Sequence, residues 1–416
     1  MSMIDTPNLE RLTQILDLTT ARQAQIANNV ANVDTPGYKR AQSMFSDLFY
    51  QTIGSSGSGD PIQVGAGTKV GVIDTNFTPG STDSTGVDTN VAIGGDGFFV
   101  VQDNNGVTSY TRAGNFSKST DGYLVTADGK QVLGFPAVNG AVSQMQGLSP
   151  LQVGSGTVSS PNATTKVEMT ANLDSRTALN DPYSTPVTVY DTLGQGHVLT
   201  FQFTKTAANA WDYQITIPGA DVGAATPQVV KAGAIAFDSS GNLTTPAADV
   251  AGITVPNLAD SAAPINFTWQ LYQNGAGMIS QVASASSPSS ANQDGFGAGS
   301  LQSFAIGSDG VIEGTFSNGK TATLGQLALA NFANTQGLMR TGGNNYAPTL
   351  ASGAATIGAP GTGGRGSVTG GALELSNVDI ATEFANLIQA QRAFEANART
   401  VTTFDQITQD TINLKQ

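Results

Sequence analysis

The chain has 416 residues, of which 39% are hydrophobic, 12% are charged and 49 are glycine, with a formal net charge of −13 and no cysteine. At this length we expect roughly two to four domains, and the low charge with abundant glycine is typical of a β-rich chain with many tight turns. The negative charge argues against nucleic acid and anionic membrane surfaces as partners, and the absence of cysteine excludes disulfides, thiolate metal sites and cysteine nucleophiles.

The first residues do not have the pattern of a signal peptide. They carry Asp5 and Glu10 and lack a continuous apolar segment. No stretch of the chain approaches the length of a transmembrane helix. We therefore expect no membrane insertion and, for an exported protein, export without a cleaved signal peptide.

A first helix is predicted to begin at Thr6-Pro7 and to end at Pro36-Gly37. The threonine hydroxyl caps the helix, and proline costs nothing at the first helical position. An apolar seam follows with spacings of three and four, interrupted by Thr19 and Gln23. The pattern suits either an amphipathic helix on a globular core or one partner of a coiled coil. The seam residues are Leu9, Leu12, Leu16, Ile26, Val30 and Val33.

The end of this helix carries the asparagines Asn28, Asn29 and Asn32, followed by Gly37-Tyr38-Lys39. Asparagine is a poor residue for a helix interior because its side chain competes for backbone hydrogen bonds. The cluster therefore indicates hydrogen bonding across a helix contact, or alternatively fraying toward a turn.

The middle of the chain is predicted to form β-structure. Residues 41–90 predict an extended connector with some strand and a flexible Gly/Ser run at 54–59. Residues 91–135 place Asn-Gly and Asp-Gly turns between short apolar runs, which is a strong hairpin signal. A further strand-rich region from about 160 to 290 predicts an inserted β-domain.

No stretch predicts enzymatic chemistry. His197 is the single histidine and lies beside a glycine turn, so we predict a structural or surface role, with no catalytic residue, cofactor or metal. The Gly94-Gly95-Asp96-Gly97 turn lacks the Lys-Ser/Thr of a phosphate loop, and Arg112 fits a structural ion pair or subunit contact better than a catalytic cation. Sequence alone leaves open a glycosidase-like carboxylate pair and calcium at an aspartate-rich turn.

The last stretch, residues 371–416, has no glycine or proline after Ala372. Ser376 and Asp379 have capping-box spacing. A helix of roughly 40 residues would be about 60 Å long, and a narrow seam of that length needs a partner of similar length. The first helix fits, so the termini are predicted to meet each other or copies in other subunits. The seam residues are Ile380, Phe384, Leu387, Phe394, Ala398, Val401, Phe404, Ile407 and Leu414.

Residues 26–40 resemble the N-terminal signature of the flagellar axial proteins, the rod, hook and hook-associated families. Residues 373–400 resemble its C-terminal half, most clearly at Ser376-Asn377-Val378-Asp379 and at Gln391-Arg392. The stretches GDGFF and YTRAGNF resemble the core domain shared by hook and distal-rod subunits. Residues 187–205 resemble the outer domain of hook subunits, which the shorter distal-rod subunits lack.

This resemblance implies a multidomain α+β protein with nested domains. Residues 1–40 and 372–416 would form a terminal helical coiled coil, 41–90 a connector, 91–160 with 290–371 an inner β-domain, and 161–289 an inserted outer β-domain. The implied function is a structural, self-assembling subunit of the flagellar hook, the extracellular hollow tube that acts as a universal joint in motility. A distal-rod subunit and a secreted β-rich adhesin or enzyme are the alternatives.

The resemblance also implies the partners. These would be identical subunits, the distal rod, the hook cap, the hook–filament junction proteins and the flagellar type III export apparatus.

Overall fold

A computed structural model describes residues 6–48, 50–65, 67–138, 140–154 and 156–413. Over these residues the chain is mostly β-strand, with one long α-helix near each end. Leu414 and the side chains of Leu9 and Leu12 lie outside the described part of the chain.

The described elements before residue 155 are α1 (Thr6–Ala31), β1 (Ala41–Asp47), β2 (Tyr50–Ser55), β3 (Pro61–Gly65), β4 (Thr68–Thr75), β5 (Thr82–Ser84), β6 (Val91–Gly94), β7 (Phe98–Gln102), β8 (Thr108–Thr111), β9 (Ser117–Lys118), β10 (Leu124–Val125), β11 (Gln131–Val138), β12 (Ala141–Val142) and β13 (Ser149–Pro150). The next are β14 (Val158–Ser159), β15 (Lys166–Asp174), β16 (Pro182–Tyr190), β17 (Gly196–Ala207), β18 (Ala210–Ile217), β19 (Gln228–Phe237), β20 (Leu243–Thr245), β21 (Val250–Val255), β22 (Ile265–Gln270), β23 (Tyr272–Gln273), β24 (Ala276–Gly277), β25 (Ile279–Val282) and β26 (Ser287–Gln293). The last are β27 (Gly299–Ile306), β28 (Val311–Phe316), β29 (Thr321–Leu327), β30 (Leu329–Asn331), β31 (Met339–Gly342), β32 (Asn345–Ala347), β33 (Thr356–Gly358), β34 (Ser367–Gly370), β35 (Ala372–Glu374) and α2 (Ile380–Asn413).

The chain divides into two compact units. Unit 1 comprises the described parts of Met1–Ser155, Phe304–Gly314 and Thr323–Gln416, and unit 2 those of Gly156–Ser303 and Thr315–Ala322. Unit 1 therefore contains both α-helices together with a β-core. The finer division into coiled coil, connector, inner and outer domains stays a prediction.

The β-core of unit 1 is built on both faces of one sheet, in which strands pair in the order β29-β11-β7-β8-β32-β31. Alternate side chains of a strand point to opposite faces. Phe99 and Val101 accordingly join one apolar cluster, while Phe98 and Val100 join the other. The continuous apolar run of β7 is thus explained by burial on both sides.

Unit 2 contains two five-stranded sheets whose inward faces share one apolar cluster. One sheet runs β16-β17-β18-β19-β20, and the other runs β21-β22-β15-β25 with β26 beside β15. Trp211 and Trp269 are both fully buried in the cluster, and the ring of Trp269 lies 5.2 Å from those of Phe201 and Tyr213. Both tryptophans of the chain therefore report on the packing of unit 2.

The region predicted as a connector folds back on itself. Strand β1 pairs antiparallel with β4, and β2 pairs with β3. The Gly/Ser-rich run at 54–59 forms the turn of the inner pair, where the Ser56 N–H donates to the Asp60 carbonyl and the Gly59 N–H donates to the Ser56 carbonyl. Met44, Phe45, Val72 and Ile73 remain exposed on the longer pair.

Helix α1 is already formed at Thr6, the first described residue, so its predicted start stays a prediction. It ends at Ala31, before the predicted stop at Pro36-Gly37. The Asn28 carbonyl accepts a 2.8 Å hydrogen bond from the side-chain amide of Asn32, so a side chain competes with the next helical N–H at this end.

The predicted capping box of α2 is wrong. Asp379 is itself the cap, because its Oδ1 accepts the Thr382 N–H at 2.9 Å, whereas Ser376 Oγ accepts only the Val378 N–H at 3.3 Å in the preceding turn. The N–H of Thr382 holds the pKa of Asp379 below its usual value. The described α2 spans 34 residues, or about 51 Å at the rise of an α-helix.

Candidate self-assembly site

The two helices of unit 1 contact each other. The end of α1 and the start of α2 meet at a set of buried polar side chains, which we name the polar junction. Asn29 of α1 donates from Nδ2 to Oε2 of Glu383 in the first turn of α2 at 3.3 Å. Glu383 is 1% exposed and is also ion-paired with Arg40. Asn29 also makes two hydrogen bonds with the backbone of Ala41. Its Nδ2 donates to the Ala41 carbonyl at 2.8 Å, and its Oδ1 accepts the Ala41 N–H at 3.1 Å. One amide therefore links the end of α1, the start of β1 and the start of α2.

The other asparagines of the N-terminal motif hold the chain after α1. Asn28 Oδ1 accepts the Tyr38 hydroxyl at 2.9 Å, and the same hydroxyl lies 3.3 Å from Asn29 Oδ1. Asn32 Oδ1 accepts the hydroxyl of Thr35 at 3.1 Å. These contacts give each asparagine of the motif a defined structural role.

Gly37 sits against the backbone of the β-core. Its N–H donates to the Glu374 carbonyl at 2.8 Å, and its φ is +67°. A Cβ built at this position would lie 2.5 Å from the carbonyl carbon and oxygen of Arg112. Only glycine fits both the left-handed backbone and this close approach.

A buried charge cluster lies beside this contact. Glu374 of β35 forms an ion pair with Lys39 through Oε1. Its Oε2 lies 3.4 Å from Nη1 of Arg112, and all three side chains are at most 1% exposed. Burial lowers the pKa of Lys39 and of Arg112, and the Glu374 carboxylate opposes both shifts. Loss of Glu374 would leave two cations buried without their carboxylate, which is strongly destabilising.

Asn377, in the segment that leads into α2, completes the junction. Its Oδ1 accepts the Arg40 N–H at 2.8 Å, and its Nδ2 donates to the carbonyls of Asn76 at 2.8 Å and Thr78 at 3.0 Å. The C-terminal motif therefore bonds to the segments that follow α1 and β4. The remaining motif residues, Gln391 and Arg392, are exposed on α2.

The structure divides the predicted apolar seam of α2. Leu387 and Ala390 lie on the more buried side together with Glu383, whereas Phe384 is 49% exposed. Phe394, 36% exposed, and Ile407 are also solvent-accessible in the single chain. In α1, Ile26 is buried. The half-buried seam residues are Leu16, Val30, Val33, Leu387, Ala398, Val401 and Phe404.

A second apolar face therefore lies on the first turns of α2, next to its buried side. We name it the outer face of α2, and it consists of Ile380, Phe384 and Ile388, each about half exposed (45%, 49% and 51%). These residues follow a spacing of four, which places them on one side of a helix. Contiguous exposed apolar residues of this kind mark interaction surfaces in soluble proteins.

Sequence reasoning missed several members of the site. Glu374 and Glu383 bind across the junction to residues more than 250 positions away, so local spacing carries no signal of their partners. Ile388 was not assigned to the seam, although its spacing from Phe384 was available. Arg112 was correctly favoured as a structural ion pair over a catalytic cation.

Within the described residues, neither helix combines the length and the hydropathy that a membrane-spanning segment needs.

Family models match most of the chain in the order of its segments. They are the Flagella basal body rod protein model at residues 16–39, the Flagellar hook protein FlgE/F/G D1 domain at 92–172, the Flagellar basal body protein FlaE D2 domain at 159–296, and the Flagellar basal body rod FlgEFG protein C-terminal model at 369–414. The first and last of these models match the two chain segments that meet at the polar junction.

Full-length relatives agree with the models. The flagellar hook protein FlgE of Salmonella typhimurium is 35% identical over 406 residues, covering 94% of this chain and 95% of the relative. That of Treponema pallidum is 34% identical over 448 residues, covering 95% and 96%. The crystal structure of Helicobacter pylori FlgE2 aligns with a TM-score of 0.47 at 18% identity, covering 70% of this chain and 98% of that one. On the sequence similarities the chain belongs to the flagellar hook protein FlgE family.

Proposed function

We propose that this chain is the structural subunit that polymerises into the flagellar hook, a hollow, flexible tube that transmits torque. The observation that carries the proposal is the outer face of α2, where three large apolar side chains stay half exposed in the single chain. Completing the burial of each would contribute about 1 kcal/mol per subunit. Repeated over many copies, such contacts favour a polymer over the monomer.

The terminal helices would form a coiled-coil layer in this polymer. Their contact, the half-buried seam residues and the lengths of both helices support this arrangement. The helices of one subunit would pack on those of neighbouring copies through the outer face of α2. The seam residues Leu9, Leu12 and Leu414 would extend the same layer.

The polar junction would set the direction in which the helix pair leaves the β-core. Its bonds join α1, α2, β1 and β35 through side chains that are mostly buried. A stiff base suits a part that carries torque from subunit to subunit. The exposed apolar residues of the β1–β4 pair would add a further contact between copies.

The proposal extends to partners and location. The hook lies outside the cell, so the chain would be exported through the type III apparatus. Its ends would meet the distal rod, the hook cap and the hook–filament junction proteins. We propose no enzymatic activity, because the function needs only assembly.

Deletion of the gene in its flagellated host separates the hook from the distal-rod alternative. Basal bodies isolated from the deletion strain should keep complete rods and lack hooks and filaments in electron micrographs, and the wild-type gene should restore both. Truncated rods would assign the chain to the rod. Unchanged hooks would refute the proposal, and a strain deleted for an unrelated gene serves as the control.

A further inference from the structure

The single histidine of the chain lies inside a cluster of three aspartates in unit 2. His197 is on β17, Asp191 follows β16, Asp221 belongs to a short 3-10 helix (Gly219–Val222), and Asp260 lies between β21 and β22. His197 and Asp191 are buried, at 4% and 0% exposed. Four separate segments thus converge on one imidazole.

The two ring nitrogens have different surroundings. Nδ1 lies 3.2 Å from Oδ2 of Asp221, while Nε2 lies 3.2 Å from Oδ2 of Asp191 and 3.9 Å from Oδ2 of Asp260. A carboxylate on one nitrogen fixes the tautomer and directs the other nitrogen at a metal, as is common around metal-binding histidines. The imidazole is therefore oriented with Nε2 toward two carboxylates.

The two carboxylates on the Nε2 side also lie close to each other. One oxygen of Asp191 and one of Asp260 are within 4.8 Å of each other. Oδ1 of Asp191 is already occupied by the N–H groups of Leu193 at 2.8 Å and Gln195 at 2.9 Å, so Oδ2 faces the cluster. Two carboxylates this close repel each other, and a bound cation would relieve the repulsion.

We propose that His197, Asp191 and Asp260 bind a divalent transition-metal ion, with Asp221 orienting the histidine. The three ligand atoms lie within 4.8 Å of one another. In a tetrahedral site with bonds of 2.0–2.1 Å the ligand atoms are about 3.4 Å apart, and the distances from Nε2 to the two carboxylate oxygens bracket this value. One imidazole and two carboxylates suit Zn²⁺ or a similar ion better than Ca²⁺ or Mg²⁺.

The ion would have a structural role. It would tie the loop that carries Asp260 to the turn between β16 and β17, and so stabilise unit 2. This inference does not depend on the proposed function, since a hook subunit and a rod subunit would use such a site equally.

The test uses the full chain with Zn²⁺ alone as the probe. Because His197 is the only histidine, the Cε1 proton of 13C-labelled histidine gives one NMR signal that belongs to this site. After removal of metal with EDTA and dialysis, one equivalent of Zn²⁺ should move this signal to a new position and leave it there on further addition of the ion. Saturating Zn²⁺ should also raise the melting temperature read from Trp211 and Trp269 by about 5 °C.

Asp260→Asn is the decisive variant. It keeps an oxygen for the 3.0 Å bond that Oδ1 accepts from the Ala262 N–H, so folding should be preserved, yet it removes a ligand charge. We expect Zn²⁺ affinity to fall at least tenfold, whereas Asp238→Asn, an aspartate that caps a turn elsewhere in unit 2, should leave affinity unchanged. A histidine signal that Zn²⁺ does not move, or equal affinity in Asp260→Asn, would overturn the metal site.

Discussion

Asn29 and Glu383 are 354 positions apart in the sequence, yet Nδ2 of the asparagine lies 3.3 Å from Oε2 of the glutamate. The same asparagine bonds to the backbone of Ala41 through both its oxygen and its nitrogen. Both functional groups of one buried amide are thus used where the two helices and the first strand meet. The junction is specific for an amide at this position.

Asn29→Asp should destabilise unit 1. The new carboxylate loses the donor to Ala41 and faces the carboxylate of Glu383, so we expect a loss of about 2–3 kcal/mol in the free energy of unfolding. Thermal melting followed by circular dichroism at 222 nm measures this, because both described α-helices are in unit 1.

Asn28→Asp is the matched control for that change. Asn28 uses its oxygen as an acceptor for Tyr38 and Asn32, which aspartate can also do, and it lies on the same turn of the helix. The control should shift stability by less than about 0.5 kcal/mol. Equal losses in the two variants would show that charge at the helix end, and not the junction, determines the effect.

Gly37→Ala should destabilise unit 1 far more than Gly59→Ala. Both glycines have positive φ, +67° and +88°, so each substitution carries about 1 kcal/mol of backbone strain. At Gly59 an added Cβ meets nothing within 4 Å, whereas at Gly37 it collides with the backbone of Arg112. We expect the Gly37 variant to lose at least about 2 kcal/mol more in chemical denaturation. Similar losses would contradict the close approach seen in the structure.

Unit 2 should lose stability in acid through Asp294. Burial raises the pKa of this carboxyl, but hydrogen bonds from Thr165 and Lys166 outweigh burial and hold the pKa below its ordinary value. A depressed folded-state pKa stabilises the fold above the unfolded-state pKa of about 3.9, and this contribution disappears as pH falls through the lower folded-state value.

Asp294→Asn should therefore lower the melting temperature at pH 7 by about 2–4 °C and by clearly less at pH 2. Fluorescence of Trp211 and Trp269 gives the melting curve of this unit. Asp212→Asn, at an exposed position of β18 in the same unit, is the control. A loss of equal size at both pH values would show that the carboxylate charge is irrelevant.

Phe394→Asp should block polymerisation while leaving both β-cores folded. Phe394 is about one-third exposed on α2, so the monomer accommodates the charge, but a helix packed among other helices would bury it. Sedimentation and electron microscopy would measure assembly. Circular dichroism would verify the folding of unit 1, which contains Phe394, and tryptophan fluorescence that of unit 2. Gln406→Asp places the same charge at an exposed position of α2 outside the predicted seam and should assemble normally. Normal polymers from Phe394→Asp would refute the seam.

Much of the fold could be predicted from local patterns. The apolar run of β7 and the Asn-Gly and Asp-Gly turns around it predicted a β-core, because strand burial and turn geometry are properties of short segments. Of the family motif residues, Asn29 and Asn377 lie in the polar junction, whereas Gln391 and Arg392 are exposed on α2. The cap of α2 was misplaced because Ser376 and Asp379 can both cap, and the choice depends on where the preceding chain is held.

The rest depends on contacts between distant segments. In the sequence, Glu374 is a single acidic residue in an apolar strand. No neighbouring residue in the sequence indicates that Lys39 and Arg112 are its partners. His197 was predicted to have a structural or surface role, and its three aspartates lie at separations of 6, 24 and 63 positions that match no metal motif. The outer face of α2 depends on which side of the helix α1 covers, and this cannot be read from the seam alone.

The proposed polymer requires that other copies of the chain cover the outer face of α2. Because the chain has no cysteine, Ile388→Cys introduces a single thiol there, and Ser240→Cys introduces one at an exposed turn of unit 2. Both thiols should react rapidly with a maleimide in the monomer. In purified polymer, the Ile388→Cys thiol should react at least tenfold more slowly than in the monomer. The Ser240→Cys thiol should react much faster in the polymer than the Ile388→Cys thiol does. Equal reactivity of the Ile388→Cys thiol in monomer and polymer would contradict the account.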